Sequence, residues 1–237
     1  MTTKNRAIFT YRDAERQTGP VAFSTMLKAA GSTCNLDCRY CYYLDKALQY
    51  GGPQPVMSEE LLELYIRQYI EANEVDTVTF CWHGGEPLLA GIDFYRRAVE
   101  LQRKYARGKR IVNTLQTNGV LVDEAWCELF AAHEFLIGVS LDGPEEIHDA
   151  FRRDRGGAPT FGRVMRAVEL FRTCGVEFNT LSVVNRLCEG RGAEIYRFFR
   201  DTVGSCYMQF LPVVEHVTDL QGVARPVIVS PDTEGAR

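Results

Sequence analysis

Nowhere does the 237-residue sequence hold an apolar run near the roughly 20 residues that a bilayer span needs. A basic surplus is missing too: 27 Lys and Arg stand against 31 Asp and Glu, a formal net charge of -4. Without that surplus nucleic acid is not expected as a partner, because neutralising a phosphate backbone takes clustered cations. The first residues, MTTKNRAIFTYRDAERQ, lack the apolar centre of a signal peptide, which leads us to expect a soluble, cytoplasmic protein with no membrane partner. Repeats at a fixed period and low-complexity linkers are absent as well. What is present is ordinary globular composition, 46% hydrophobic and 24% charged, which excludes disorder and collagen and leaves room for one large α/β domain. Eight cysteines remain to be explained, and in a reducing compartment they serve as metal ligands, nucleophiles or small core residues rather than bridges.

Strand-like and helix-like segments alternate. Runs rich in β-branched and aromatic residues predict six strands, from Val21 to Leu27, Thr77 to Cys81, Ile111 to Gln116, Leu136 to Leu141, Glu177 to Val184 and Cys206 to Val214. Between them a helical period places Leu62, Ile66 and Ile70 on one face, and likewise Phe94, Ala98, Leu101 and Tyr105. Trp126 with Phe130, and Phe161, Val164, Val168 and Phe171, repeat the pattern. Ser58, Asp123 and Thr160 are placed to cap helices, and Gly175 and Gly204 to stop them. Alternation of this kind predicts an α/β fold of parallel strands joined by right-handed crossovers. Residues 1–20 are expected to be a lead-in, 21–216 the core and 217–237 an irregular tail.

Ligands of such folds sit at the carboxyl ends of the strands, where the loops converge. Cys34, Cys38 and Cys41 follow the first strand, Gly84-Gly85-Glu86-Pro87 the second, Gln116-Thr117-Asn118-Gly119 the third, and Ser140 to Pro144 ends the fourth. Three thiolates in one eight-residue loop can surround a single inorganic centre. A cubane cluster has four irons, so three cysteines leave one iron open to a small molecule. A structural zinc would want a fourth ligand, for which His83 is the nearest candidate.

The loop Cys34-Asn-Leu-Asp-Cys38-Arg-Tyr-Cys41, with Tyr40 before its third cysteine, resembles the radical S-adenosylmethionine (SAM) superfamily. Further segments, HGGEPLLAG, LQTNGVLVDEAW, VSLDGPEEIHDAFRR, VEFNTLSVVN and MQFLPVVE, resemble the anaerobic sulfatase-maturating enzymes from about Met26 to Glu215. The resemblance implies a partial (β/α)6 barrel, one [4Fe-4S] cluster with an open iron, and SAM chelated by that iron. It also implies reductive cleavage of SAM to a 5′-deoxyadenosyl radical and oxidation of a sulfatase Cys or Ser to Cα-formylglycine. The implied partners are a CxPxR or SxPxR segment of a sulfatase and an external electron donor such as flavodoxin or ferredoxin.

Residue by residue, the resemblance makes Cys34, Cys38 and Cys41 the cluster ligands and sets Tyr40 against the adenine. Gly84, Gly85 and Glu86 would meet the SAM ammonium group, a cation that suits an acidic side chain and bare carbonyls reached through glycine. Ser140 would hydrogen-bond SAM, and Arg152 would pair with its carboxylate, a task that fits a forked guanidinium. Val214, at the end of the sixth strand, would flank the adenine. Asn118 suits a left-handed turn position beside the site. Cys81, Cys127, Cys174, Cys188 and Cys206, scattered singly, are read as buried apolar residues or spare thiols.

Members of that family continue into a cysteine-rich SPASM domain holding two more clusters, whereas this sequence has no cysteine after Cys206. The expectation is therefore a fragment or truncated form, with the family's general-base aspartate beyond Arg237. Two other readings are a thioether-forming or similar peptide-modifying radical enzyme, and a metal- or cluster-binding fragment without turnover.

Overall fold

The computed structural model describes Asp13 and residues 22–43, 54–218 and 224–228. Apart from Asp13, the lead-in expected over residues 1–20 lies outside the described residues. Strands β1 (Thr25–Leu27), β2 (Thr77–Trp82), β3 (Arg110–Thr117), β4 (Leu136–Ser140), β5 (Phe178–Val184) and β6 (Met208–Pro212) form one open sheet. They lie in chain order and every neighbouring pair is parallel. The helices α1 (Glu59–Ala72), α2 (Ile92–Tyr105), α3 (Glu124–Ala132), α4 (Glu145–Phe151), α5 (Phe161–Cys174) and α6 (Gly192–Arg197) supply the crossovers. Sequential order means that every right-handed crossover advances in the same direction, so the helices cover one face only.

Alternation along each strand sorts the residues between the two faces. Val78, Phe80, Trp82, Leu115, Ile137 and Val139 are buried in one core with Ile66, Ile70, Tyr95, Leu101, Phe130, Val164 and Phe171. Each such side chain contributes on the order of 1.5–3 kcal/mol by leaving water. One polar node sits in this layer: Asn113 accepts from Trp82 Nε1 at 2.8 Å and exchanges 2.8 and 2.9 Å bonds with Gln102. The opposite face carries Cys81, Thr114, Gln116, Ser140, Asn179 and Leu181, all half-buried. Register aligns Gln116, Gly138 and Asn179 in one row across it.

Ser58 and Asp123 cap α1 and α3 as predicted, accepting from Leu61 N and Trp126 N. Thr160 does not cap α5. Its hydroxyl instead donates to the Arg152 carbonyl, and Asp149 Oδ1 accepts from both Thr160 N and Phe161 N at 2.8 and 2.9 Å. A carboxylate eleven residues upstream thus anchors the start of α5 without a local cap. Gly175 takes the left-handed stop at φ 68°.

Two corrections concern the ends of the sheet. The first strand is shorter than predicted. The sixth ends at Pro212, whose missing N–H cannot extend the ladder. Val214 therefore does not end that strand but opens β7 (Val214–Thr218), which pairs antiparallel with β8 (Ala224–Ile228). The stretch expected to be irregular from 217 onward thus contains the second strand of a hairpin.

Candidate active site

The loops after β1, β2, β3 and β4 meet at the carboxyl end of the sheet, as the strand rule requires. The loop after β2 lies directly on the cysteine loop. Gly85 N donates to Gly31 O at 3.0 Å, Glu86 N to Thr33 O at 2.8 Å, and His83 N to Leu27 O at 2.8 Å. A Cβ on Gly85 would stand 2.2 Å from Thr33 O and 2.5 Å from Ser32 O, and Gly84 adopts φ 132°. The two glycines are therefore required by the approach of one backbone to another, a reason that spacing alone did not reveal. His83 turns its Nδ1 to the Gly84 N–H at 2.8 Å, so that nitrogen serves the turn.

Glu86 faces inward. Its carboxylate is fully enclosed and accepts from Leu88 N at 3.0 Å, Thr117 Oγ1 at 2.8 Å and Asn118 N at 2.8 Å. Burial nevertheless pushes its pKa up to about 7, because three donors only partly replace water around a carboxylate. The carboxylate thus pins the β3 turn to the β2 loop, whereas the sequence suggested that it would meet a ligand amine.

On its outer side the cysteine loop is strapped by the segment after α4. Asp37 N donates to Arg153 O and Arg39 N to Phe151 O, with an antiparallel bridge from Leu36 to Asp154. Burial raises the Cys34 thiol to about 11 and the Cys38 thiol to about 12, the latter against the opposing pull of Arg152. Cys41 lies near enough to both to disfavour their ionisation further, and Cys34 does the same to Cys38. Yet among the described residues no three His, Cys, Asp or Glu side chains are grouped tightly enough for a lone metal ion.

Behind Cys38 lies a node that sequence reasoning missed. Asp142, fully buried just past β4, accepts from the Tyr40 hydroxyl in a short bond and from Val183 N at 3.0 Å. Arg152 Nε stands 3.0 Å from Asp142 Oδ2 but out of hydrogen-bond alignment, so Nε is a buried donor without a bond. The same guanidinium lies 5.4 Å over the Tyr40 ring, and its Nη1 reaches Cys38 Sγ at 4.0 Å. Burial works against the charge of Arg152, but Asp142, Tyr40 and Cys38 outweigh it and raise its pKa. Burial also holds the Tyr40 phenol well above its ordinary value. The one available signal was the acidic residue two positions after Ser140, in a strand-end loop already singled out.

Ser140 ends β4 and its Oγ accepts from Gln116 Nε2 at 3.0 Å. Gly138 makes room for that amide: a Cβ there would stand 2.0 Å from Gln116 Oε1. Asn118 is not in the left-handed region; Gly119, at φ 77°, takes that position. The Asn118 amide reaches Cys34 Sγ at 3.7 Å. Of the outlying cysteines, Cys127 on α3 and Cys174 on α5 are near one another: burial first, and then Cys174, hold the Cys127 thiol above its ordinary value. Among the described residues no helix is long and apolar enough to cross a membrane.

Comparison with known proteins fits this geometry. A serine-type anaerobic sulfatase-maturating enzyme of Bacteroides thetaiotaomicron is 44% identical over 212 residues, 89% of this chain and 51% of that protein. The cysteine-type enzyme of Clostridium perfringens is 39% identical over 206 residues, 84% of this chain and 54% of that protein. The structure of native anSMEcpe with bound AdoMet and Cp18Cys peptide superposes with a TM-score of 0.76 at 36% identity, over 84% of this chain and 53% of that one. The chain thus spans about half the length of the curated relatives it matches. The Radical SAM superfamily pattern covers residues 30–197, and this chain belongs to that superfamily, whose members carry a [4Fe-4S] cluster and SAM.

Proposed function

We propose that this chain is the SAM-cleaving part of an anaerobic sulfatase-maturating enzyme, oxidising a Cys or Ser in a CxPxR or SxPxR segment of a sulfatase to Cα-formylglycine in the cytoplasm. The observation that carries this reading is the cysteine loop held at the sheet's carboxyl end between the glycine loop and the Tyr40–Asp142–Arg152 node. When bound, the cluster and SAM supply reductive C–S cleavage and hydrogen-atom abstraction.

The residues present suit those groups. Cys34, Cys38 and Cys41 would hold three irons. Thiols bind iron as thiolates, so cluster uptake is coupled to proton release, against the burial that holds the Cys34 and Cys38 protons on. The unbonded Nε of Arg152 is a donor in want of an acceptor, as a SAM carboxylate would be. Tyr40 would flank the adenine and Ser140 would meet the ribose. Gly84 and Gly85 would offer carbonyls to the SAM ammonium group, with Glu86 fixing their loop from behind. Val214 would pass the adenine along the backbone that opens β7. A flavodoxin or ferredoxin would deliver the electron, and the half-exposed sheet face with Gln116, Ser140 and Asn179 would receive the peptide.

Anaerobic reconstitution with iron and sulfide, followed by reductant and SAM, tests this. The expected results are an iron–sulfur absorption band, 5′-deoxyadenosine, and an aldehyde on a CxPxR or SxPxR peptide seen by mass spectrometry. Zinc in place of the cluster, or undiminished nucleoside formation by Cys38→Ala, would overturn the reading. A thioether product would assign the chain to a different peptide-modifying activity.

A further inference from the structure

We propose that Asn118 is a positioning residue of the iron–sulfur centre, its side-chain amide donating to Cys34 Sγ and raising the cluster's reduction potential; this rests on Cys34 being a cluster ligand, as read above. The amide has no freedom to do otherwise. Asn118 follows β3 directly, with its backbone N–H held by Glu86 Oε2 at 2.8 Å, and its Oδ1 accepts from Val120 N at 3.0 Å. Only an oxygen can accept there, which fixes the orientation of the amide and points its NH2 away from the turn. Of the two hydrogens, one goes to Asn35 Oδ1 at 2.7 Å and the other toward Cys34 Sγ at 3.7 Å. Leu36 N approaches the same sulfur at 3.4 Å, so Cys34 gathers two neutral donors in a site where Asn118 is only 8% exposed.

Reduction places extra negative charge on the cluster and its sulfurs. A donor fixed on a ligand sulfur stabilises the reduced form more than the oxidised one, and the effect is larger away from water. Cys38 has a charged but more distant donor in Arg152 Nη1 at 4.0 Å, so the chain feeds the centre from two sides, from the loops after β3 and α4. The turn itself asks only for an acceptor at Oδ1, which a serine hydroxyl can supply. One amide hydrogen ties the turn to Asn35, and the one directed at Cys34 is surplus to the turn.

That surplus makes the test. The wild-type chain and Asn118→Ser are reconstituted anaerobically, assayed for iron and sulfide, and titrated with dithionite and mediators while the reduced cluster is followed by electron paramagnetic resonance. Asn118→Ser should keep the cluster but show about a tenfold lower ratio of reduced to oxidised centre at a fixed potential, ~59 mV for a one-electron couple. In parallel, wild-type chain labelled with 15N only at asparagine side-chain amides should show a 15N coupling to the reduced cluster without SAM. An unchanged potential in a fully loaded variant overturns the proposal. So does the absence of that coupling, which decides the matter even if the variant fails to assemble. Failure of the wild-type chain to take up any cluster would instead defeat the functional reading beneath it.

Discussion

The His148 imidazole and the Thr160 hydroxyl lie 2.9 Å apart, Nε2 to Oγ1, both fully enclosed behind Arg152. Thr160 gives its single hydroxyl hydrogen to the Arg152 carbonyl at 2.8 Å, so the hydrogen between the two side chains must belong to Nε2. Nδ1 is then an acceptor, and it receives the Asp142 N–H at 3.4 Å. One neutral tautomer thus connects the backbones of Asp142 and Arg152, the two charged members of the node beside Cys38.

A second proton on that ring would set Nδ1–H against the Asp142 N–H. Burial, with the charge of Arg152 added, depresses the His148 pKa to about 3. The unfolded imidazole binds its proton near 6.5, so the unfolded state gains protons first as the pH drops. Stability is then lost from about pH 6.5 toward 3, at about 1.4 kcal/mol per pH unit from this residue. Urea unfolding of the cluster-free chain should show that acid limb, and His148→Gln should flatten it while lowering stability at pH 7.

Glu86 works in the opposite sense. Its folded pKa near 7 exceeds the unfolded value of 4.5, so the folded chain holds the proton longer. Stability from this group is complete below 4.5 and declines as the pH rises to about 7, again by about 1.4 kcal/mol per unit. Between 4.5 and 6.5 the slopes of Glu86 and His148 cancel. Glu86→Gln should expose the His148 slope across that interval, and a profile unchanged by the substitution would show that Glu86 ionises freely in the fold.

Asp142 and Arg152 form a buried pair whose halves cannot be removed singly without cost. Asp142→Asn leaves the guanidinium enclosed with no counter-charge, and a loss of about 3–5 kcal/mol is expected. The double variant Asp142→Leu with Arg152→Met removes both charges and should be less destabilised than Asp142→Asn alone. Denaturation of the two variants side by side checks this, and a double variant destabilised more than Asp142→Asn would show that the lost counter-charge is not what costs stability.

What could be read from the sequence was local. The β-branched runs, the caps at Ser58 and Asp123, the stop at Gly175 and the gathering of odd loops at one end of the strands each depend on a few neighbouring residues. Asp142 was illegible because its meaning lies in Tyr40, 102 positions away, and in Val183 on the next strand. Glu86 was ambiguous because a carboxylate in a glycine loop reads equally well facing out or in, and its orientation depends on Thr117 and Asn118, some thirty positions on. Thr160 stood in a cap position, but its hydroxyl is engaged by the Arg152 carbonyl and His148, while Asp149 takes the N–H groups of Thr160 and Phe161. The β7–β8 hairpin escaped notice because Pro226 interrupts the pattern of its second strand.

Gly85 and Gly138 both lack room for a Cβ, yet for different reasons, and alanine should separate them. At Gly85 the obstacles are the carbonyls of Ser32 and Thr33, backbone atoms of the cysteine loop that cannot yield without moving Cys34. At Gly138 the nearest atom is the Gln116 side-chain oxygen at 2.0 Å, which can swing away across the half-exposed sheet face. Gly85→Ala should therefore break the Gly85 N to Gly31 O and Glu86 N to Thr33 O bonds and lower cluster content severalfold, whereas Gly138→Ala should retain the cluster. Because Gln116 Nε2 bonds Ser140 Oγ, the displaced amide should weaken whatever Ser140 holds, so the second variant should lose SAM affinity while keeping its iron. Iron content and SAM binding, measured on both variants, would show equal losses only if the two glycines served the same contact.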